Sequence, residues 1–160
     1  MKLLDCTLRD GGYYTNWEFD DNFVRELVSS LNKSGIDIIE MGYKSPLKGG
    51  RYRKCNDSFI RDIVGDLYDT DLAFMIDAKD FINGEVDIKL LKDMVKPSDE
   101  SPFTYCRLAI TPQQIKEALI MIDLLDELGY KVIVNVMRVS LLKDSDIRKF
   151  CKKLSINKVT

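Results

Sequence analysis

The sequence predicts an α/β fold, a (β/α)8 TIM barrel of which these residues supply about the first five βα units, in one domain over 1–160 with no internal linker. Three observations predict it. Apolar, β-rich runs alternate with helical patterns at about 30 residues per unit, as βαβ units on a parallel sheet require. A complete barrel needs ~250 residues, and this chain has 160. The last residues, Ile156-Asn157-Lys158-Val159-Thr160, read as the approach to a sixth strand. A five-stranded doubly wound domain, complete at this length, is the alternative.

The elements follow in order. The first strand is expected at Lys2–Leu8. Its alternation sets Leu4, Cys6 and Leu8 on one face and Asp5, Thr7 and Arg9 on the other, and Gly11-Gly12 ends it. Phe23, Leu27, Val28 and Leu31 then repeat at helical spacing behind Asp20 and Asp21. A strand at Ile36–Met41 precedes a second helix, Phe59, Ile60, Ile63, Val64 and Leu67, capped by Asn56 or Asp57. A strand at Leu72–Ile76, a weaker helix between Val86 and Val95 and a loop from Pro97 to Pro102 come next. Strand Tyr105–Ile110 runs into Thr111-Pro112-Gln113-Gln114, where a Thr cap, a Pro at the first helical position and a Gln three residues on make a capping box. Ile115, Ala118, Leu119, Ile122, Leu125 and Leu128 form that helix's apolar stripe, and Gly129 stops it. Strand Lys131–Met137 and a helix after Asp144 complete the pattern.

Composition excludes several classes. Apolar residues are 45% and charged residues 31%, an ordinary globular balance. A net charge of −2 gives no electrostatic footprint for nucleic acid. No apolar run approaches the roughly 18 residues of a membrane span, and the N-terminus lacks the apolar core of a signal peptide. The four cysteines form no CxxC pair, which suits a reducing cytoplasm. Histidine is absent, so the commonest general base and metal ligand are missing.

Polar residues fall where the strands end, and in parallel α/β architectures ligands bind there. Glu40 ends an apolar strand, on the face of Ile36 and Ile38. Asp77 follows Phe74-Met75-Ile76. Arg107 and Asn135 interrupt otherwise apolar strands. A buried charge costs several kcal/mol unless paired, so these positions read as a site, or as a structural Arg9–Glu40 ion pair beside an Asp-Gly-Gly turn. The stretch from Lys44 to Lys54 holds five cations and no acid, and follows the second strand. It is expected either to attract a carboxylate, phosphate or CoA group or to be a solvated loop. Tyr13, Tyr14 and Trp17 are expected to pack under the rim of the barrel, the alternative being that they floor a pocket.

LLDCTLRDGGYY, followed about 30 residues on by the isolated Glu of IIEMGY, resembles the DRE-TIM metallolyases, named for their Asp, Arg and Glu. Relatives of this kind include hydroxymethylglutaryl-CoA lyase, isopropylmalate synthase and the 4-hydroxy-2-oxovalerate aldolases. The likeness is strongest over residues 3–46. It implies a metal-dependent carbon–carbon lyase or aldolase that works through the enolate of a small oxo acid or acyl substrate. It also implies Asp10 as a ligand to Mn2+ or Mg2+, Arg9 as the cation facing the enolate oxygen, and Glu40 as the group that holds Arg9. Each type suits its task, because these ions favour carboxylate oxygen and a guanidinium offers fixed donors to an oxyanion. Arg107, Asn135 and Lys44 are the expected substrate contacts. The family's His-x-His ligand pair has no counterpart here, so the remaining ligands are expected outside this chain. Where the oxovalerate aldolases place an acid/base His, four residues after the Arg, this chain has Tyr13. The other expectations are a homo-oligomer and a cytoplasmic location. Alternatives are a metal-free Schiff-base aldolase, for which no strand interior offers a lysine, and a non-catalytic half-barrel or doubly wound binding module.

Overall fold

The computed structural model describes residues 2–65 and 69–155. Five parallel strands, β1 (Leu4–Asp5), β2 (Ile38–Tyr43), β3 (Asp71–Asp77), β4 (Tyr105–Ile110) and β5 (Lys131–Val136), lie side by side in chain order. That order decides between the two architectures. A doubly wound sheet reverses its strand order at a switch point; here every crossover steps to the next strand, so the sheet curls into half of a barrel with the helices on one side.

The helices are α1 (Thr7–Thr15), α2 (Asp21–Lys33), α3 (Arg51–Lys54), α4 (Asp57–Val64), α5 (Ile88–Met94), α6 (Ile115–Glu127) and α7 (Asp144–Ser155). Most begin as the sequence expects. Asp20 accepts from the Phe23 amide, Asn56 from the Ser58 amide and Asp87 from the Leu90 amide. Gln114 Oε1 accepts from the Thr111 amide at 2.8 Å, and one 3-10 turn leads into α6. A short antiparallel ribbon, Ile82–Asn83 with Glu85–Val86, separates β3 from α5. The expected helical Leu67 and the sixth-strand approach at 156–160 lie outside the described residues.

The main difference from expectation is the opening segment. The strand stops at Asp5, and Thr7–Thr15 is a helix. Asp5 turns the chain: its carboxylate accepts from the Thr7 amide and the Thr7 hydroxyl, both at 3.0 Å. In the helix Leu8 and Gly12 stack one turn apart on the buried side. The double glycine therefore does not end a strand. Gly12 is needed because a Cβ there would stand 2.1 Å from the Trp17 indole. Alternation over residues 4–9 reads as a strand, and the turn that Asp5 makes with Thr7 ends it.

The sheet has two apolar faces. Ile38, Ala73 and Tyr105, with Leu4 and Ile133, fill the concave face at the amino end of the strands. So Leu4 faces the concave side. The helix-side core includes Leu8, Ile39, Met41, Phe74, Phe103, Cys106, Leu108 and Met121. No helix among the described residues is long and apolar enough to cross a membrane.

Candidate active site

Register along the sheet carries the concave face upward from that apolar layer. Met75 pairs with Arg107 and Ala109 with Asn135, so Glu40, Arg107 and Asn135 share one face near the carboxyl ends of the strands. A register shift between Glu40 and Gly42 adds a residue to β2. After it Tyr43 pairs with Met75 and joins the face of Glu40. Gly42 permits the shift, since a Cβ there would lie 2.0 Å from the Tyr52 carbonyl oxygen.

Glu40 is fully buried, and its Oε2 accepts two guanidinium bonds, from Arg9 Nε and Arg107 Nη1, each 2.8 Å. The expected Arg9–Glu40 contact is therefore present, delivered from a helix and not from a neighbouring strand. Arg9 also pairs through Nη1 with Asp10 Oδ1, and the Cys6 thiol donates to Asp10 Oδ2 at 3.2 Å. Glu40 Oε1 is buried with no hydrogen-bond partner among the described residues. Burial pushes the Glu40 carboxyl above its ordinary value, against the charge of Arg107 and the hydrogen bond from Arg9. Burial also works against the Arg9 charge, but the bond and charge of Glu40 raise its pKa, so Arg9 is a permanent cation.

Arg9 and Tyr13 are four residues apart on α1 and so lie on one helix face. That face meets β2 twice: Arg9 on Glu40, and the Tyr13 hydroxyl on the Tyr43 hydroxyl at 2.8 Å. Burial, then the hydrogen bond with Tyr13, holds the Tyr43 hydroxyl well above its ordinary pKa. Sequence reading missed Tyr43, because strict alternation puts positions 40 and 43 on opposite faces. Asn135 is half-buried on the concave face beyond Arg107.

Lys44 is a correction. It follows Tyr43 onto the helix side of the sheet, where it is buried. Its Nζ bonds Asp57 at 2.7 Å and lies over the Phe74 and Phe103 rings. It is thus remote from the concave face and cannot contact a substrate there. The basic stretch is mostly spent internally. Arg51 pairs with Glu18 and Asp21, and Arg53 stacks on Trp17 at 4.3 Å. Trp17 is buried in the packing role expected of it, whereas Tyr14 is exposed.

The described residues do not by themselves build a divalent-metal site. No group of three His, Cys, Asp or Glu side chains converges among them, and both Asp10 oxygens are engaged by Arg9 and Cys6.

The described residues thus form a half-barrel in which one carboxylate is gripped by two guanidiniums near the carboxyl ends of the strands. No family model matches the chain. Oxaloacetate decarboxylase from Mycobacterium tuberculosis is 44% identical over 41 residues, 26% of this chain and 12% of that protein. 4-Hydroxy-2-oxovalerate aldolase 6 from Rhodococcus jostii is 31% identical over 52 residues, 32% of this chain and 15% of that protein. The crystal structure of the N-terminal domain of a presumed aldolase from Bacteroides vulgatus superposes with a TM-score of 0.70 at 30% identity, over 96% of this chain and 50% of its own. Over the matched residues the chain is similar to an aldolase, a decarboxylase and an aldolase domain, which supports the likeness to the DRE-TIM-like aldolases. It spans half the length of that structural neighbour, and its matches span a smaller part of the two curated relatives.

Proposed function

We propose that this chain carries the anion-stabilising half of the active site of a carbon–carbon lyase, an aldolase or decarboxylase acting on a small oxo acid or acyl substrate. The observation that carries the reading is the shared Glu40 oxygen. One fully buried carboxylate fixes Arg9 and Arg107 at once, each at 2.8 Å, on the concave face near the carboxyl ends of the strands. Arg9 commits Nε and Nη1 to Glu40 and Asp10, and Arg107 commits Nη1 to Glu40. The remaining guanidinium hydrogens are the donors available to a ligand.

In the proposed reaction the bond next to a carbonyl breaks and its electron pair moves onto the carbonyl oxygen as an enolate. A guanidinium already held in place meets that developing charge without reorganising, which is how an oxyanion donor lowers a barrier. Arg9 is this donor, Glu40 sets its position, and Arg107 and Asn135 orient the substrate. Asp10 is the carboxylate this chain would offer to a divalent ion whose other ligands come from outside the described residues. In the full-length protein, Arg9→Lys keeps the charge and loses the planar fork. Turnover of oxaloacetate or of a 4-hydroxy-2-oxo acid should fall roughly 10²–10³-fold, as on losing one oxyanion donor, with the circular dichroism spectrum retained. A wild-type protein that cleaves no carbon–carbon bond in either substrate class overturns the reading.

A further inference from the structure

We propose that Tyr43 is a further catalytic residue of this site, the group that returns a proton to the substrate carbon, resupplied from solvent through Tyr13. The proposal rests on the enolate reading above. An enolate left by bond cleavage must be protonated at carbon, and the part of the site that this chain supplies must do so without histidine, the usual proton carrier.

The geometry supplies a carrier. Tyr43 is 7% exposed, on the face of Glu40, and its hydroxyl touches that of Tyr13, which is 62% exposed. A buried tyrosine and one that reaches the surface therefore meet hydroxyl to hydroxyl, 2.8 Å apart, and either can be the donor. The ring of Tyr43 cannot swing away, because Trp17 meets it edge-on at 5.8 Å and the Arg53 guanidinium lies 5.9 Å from its centre. Trp17 also packs edge-on against Tyr13 at 4.7 Å, so one indole sets both phenols. The charged and titratable groups acting on Tyr43 are Tyr13 and Arg9 from α1, Asp77 from β3 and Arg53 from α3. Arg9 favours the tyrosinate, whereas burial, Tyr13 and Asp77 favour the phenol. The resting group is thus an acid, with a fixed cation beside it to steady the anion it becomes.

The step balances. The O–H bond of Tyr43 breaks as a C–H bond forms at the enolate carbon, and the O–H electron pair stays on the Tyr43 oxygen. Tyr13 passes its hydroxyl proton to that oxygen, and the tyrosinate left at Tyr13 takes a proton from bulk water. By microscopic reversibility the same pair removes a proton from a substrate methyl group next to a carbonyl.

Exchange of pyruvate methyl hydrogens with D2O, followed by proton NMR, tests this in the full-length protein in magnesium- and manganese-containing buffer. Oxalate binding by calorimetry is measured alongside, as a probe of the enolate-shaped site. Tyr43→Phe should slow exchange by roughly 10²–10³-fold, the scale of a lost general acid, and leave oxalate affinity within about twofold. Tyr13→Phe should slow it by about tenfold, because water can replace a group at the exposed end of the relay. Tyr13 is exposed, so that variant keeps the relay testable if Tyr43→Phe does not fold. Wild-type exchange rates in either variant overturn the relay, as does loss of oxalate binding in proportion to exchange. A wild-type protein that neither binds oxalate nor exchanges pyruvate defeats the enolate reading itself, and this proposal with it.

Discussion

Gly11 and Gly12 are adjacent in α1, and substituting each by alanine should move stability in opposite directions. In a helix interior Gly→Ala gains about 0.5–1 kcal/mol from backbone entropy and propensity. At position 11 nothing opposes that gain, since a Cβ would meet Phe19 Cζ at 3.6 Å, an ordinary contact. Gly11→Ala should therefore raise Tm by about 1–4 °C, at roughly 2–4 °C per kcal/mol for a chain of this size. At position 12 a Cβ would stand 2.1 Å from Trp17 Cδ1, so the indole must retreat by about 1.3 Å (3.4 less 2.1) to reach ordinary contact. It has little room. Tyr13 and Tyr43 pack edge-on against it and Arg53 lies 4.3 Å over it. Its backbone is held at φ 57, and its carbonyl accepts from the Tyr52 amide at 3.2 Å. Overpacking costs about 1–3 kcal/mol; against an indole held on three sides the upper end applies, which leaves about 2 kcal/mol after the helix gain, so Gly12→Ala should lower Tm by roughly 4–8 °C. Trp17 is the sole tryptophan of the chain, so intrinsic fluorescence reads its environment directly, and Gly12→Ala should shift its emission to the red. A Gly12→Ala variant that melts at or above wild type with unchanged emission would refute the close-approach argument.

Further outcomes follow from the two buried charge clusters. Arg107 is the largest charge holding the Glu40 carboxyl down. Arg107→Gln should push that carboxyl further up and move the acidic limb of the pH–activity profile to higher pH, measured as kcat/KM from pH 5 to 8. Because the folded Glu40 pKa is already raised above 4.5, its contribution to stability is complete below 4.5 and is lost as pH rises through the folded value. Arg107→Gln should steepen that loss in thermal melts across the same range. Lys44→Ala leaves Asp57 with only the Ser101 hydroxyl in a buried position and should cost about 3–5 kcal/mol in urea unfolding. The double variant Lys44→Ala/Asp57→Ala should recover part of it, and the folded Lys44→Ala protein should turn over substrate as wild type does.

The alternation of strands and helices, the caps of α2, α4 and α6, and the types of group at the strand ends are legible in the residues taken in order. These are local properties: periodicity, capping geometry and the cost of burying an unpaired charge all act within a few residues or at a single position. They also marked Arg9 and Glu40 as a pair with reason to meet and Arg107 as a polar interruption of an apolar strand, and the LRDG segment carried the family likeness. Tertiary structure alone decided the rest. Residues 4–9 read as a strand, and only the pairing of β1 with β2 and the turn at Asp5 ended the strand there. Lys44 is one residue beyond Tyr43, yet a register shift that Gly42 permits beneath the Tyr52 carbonyl puts Tyr43 on the concave face and Lys44 in the opposite core. The joint grip of Arg9 and Arg107 on one Glu40 oxygen reaches 31 residues back along the chain and 67 forward. No local pattern encodes it, because it exists only once a third strand is laid between the two that carry it.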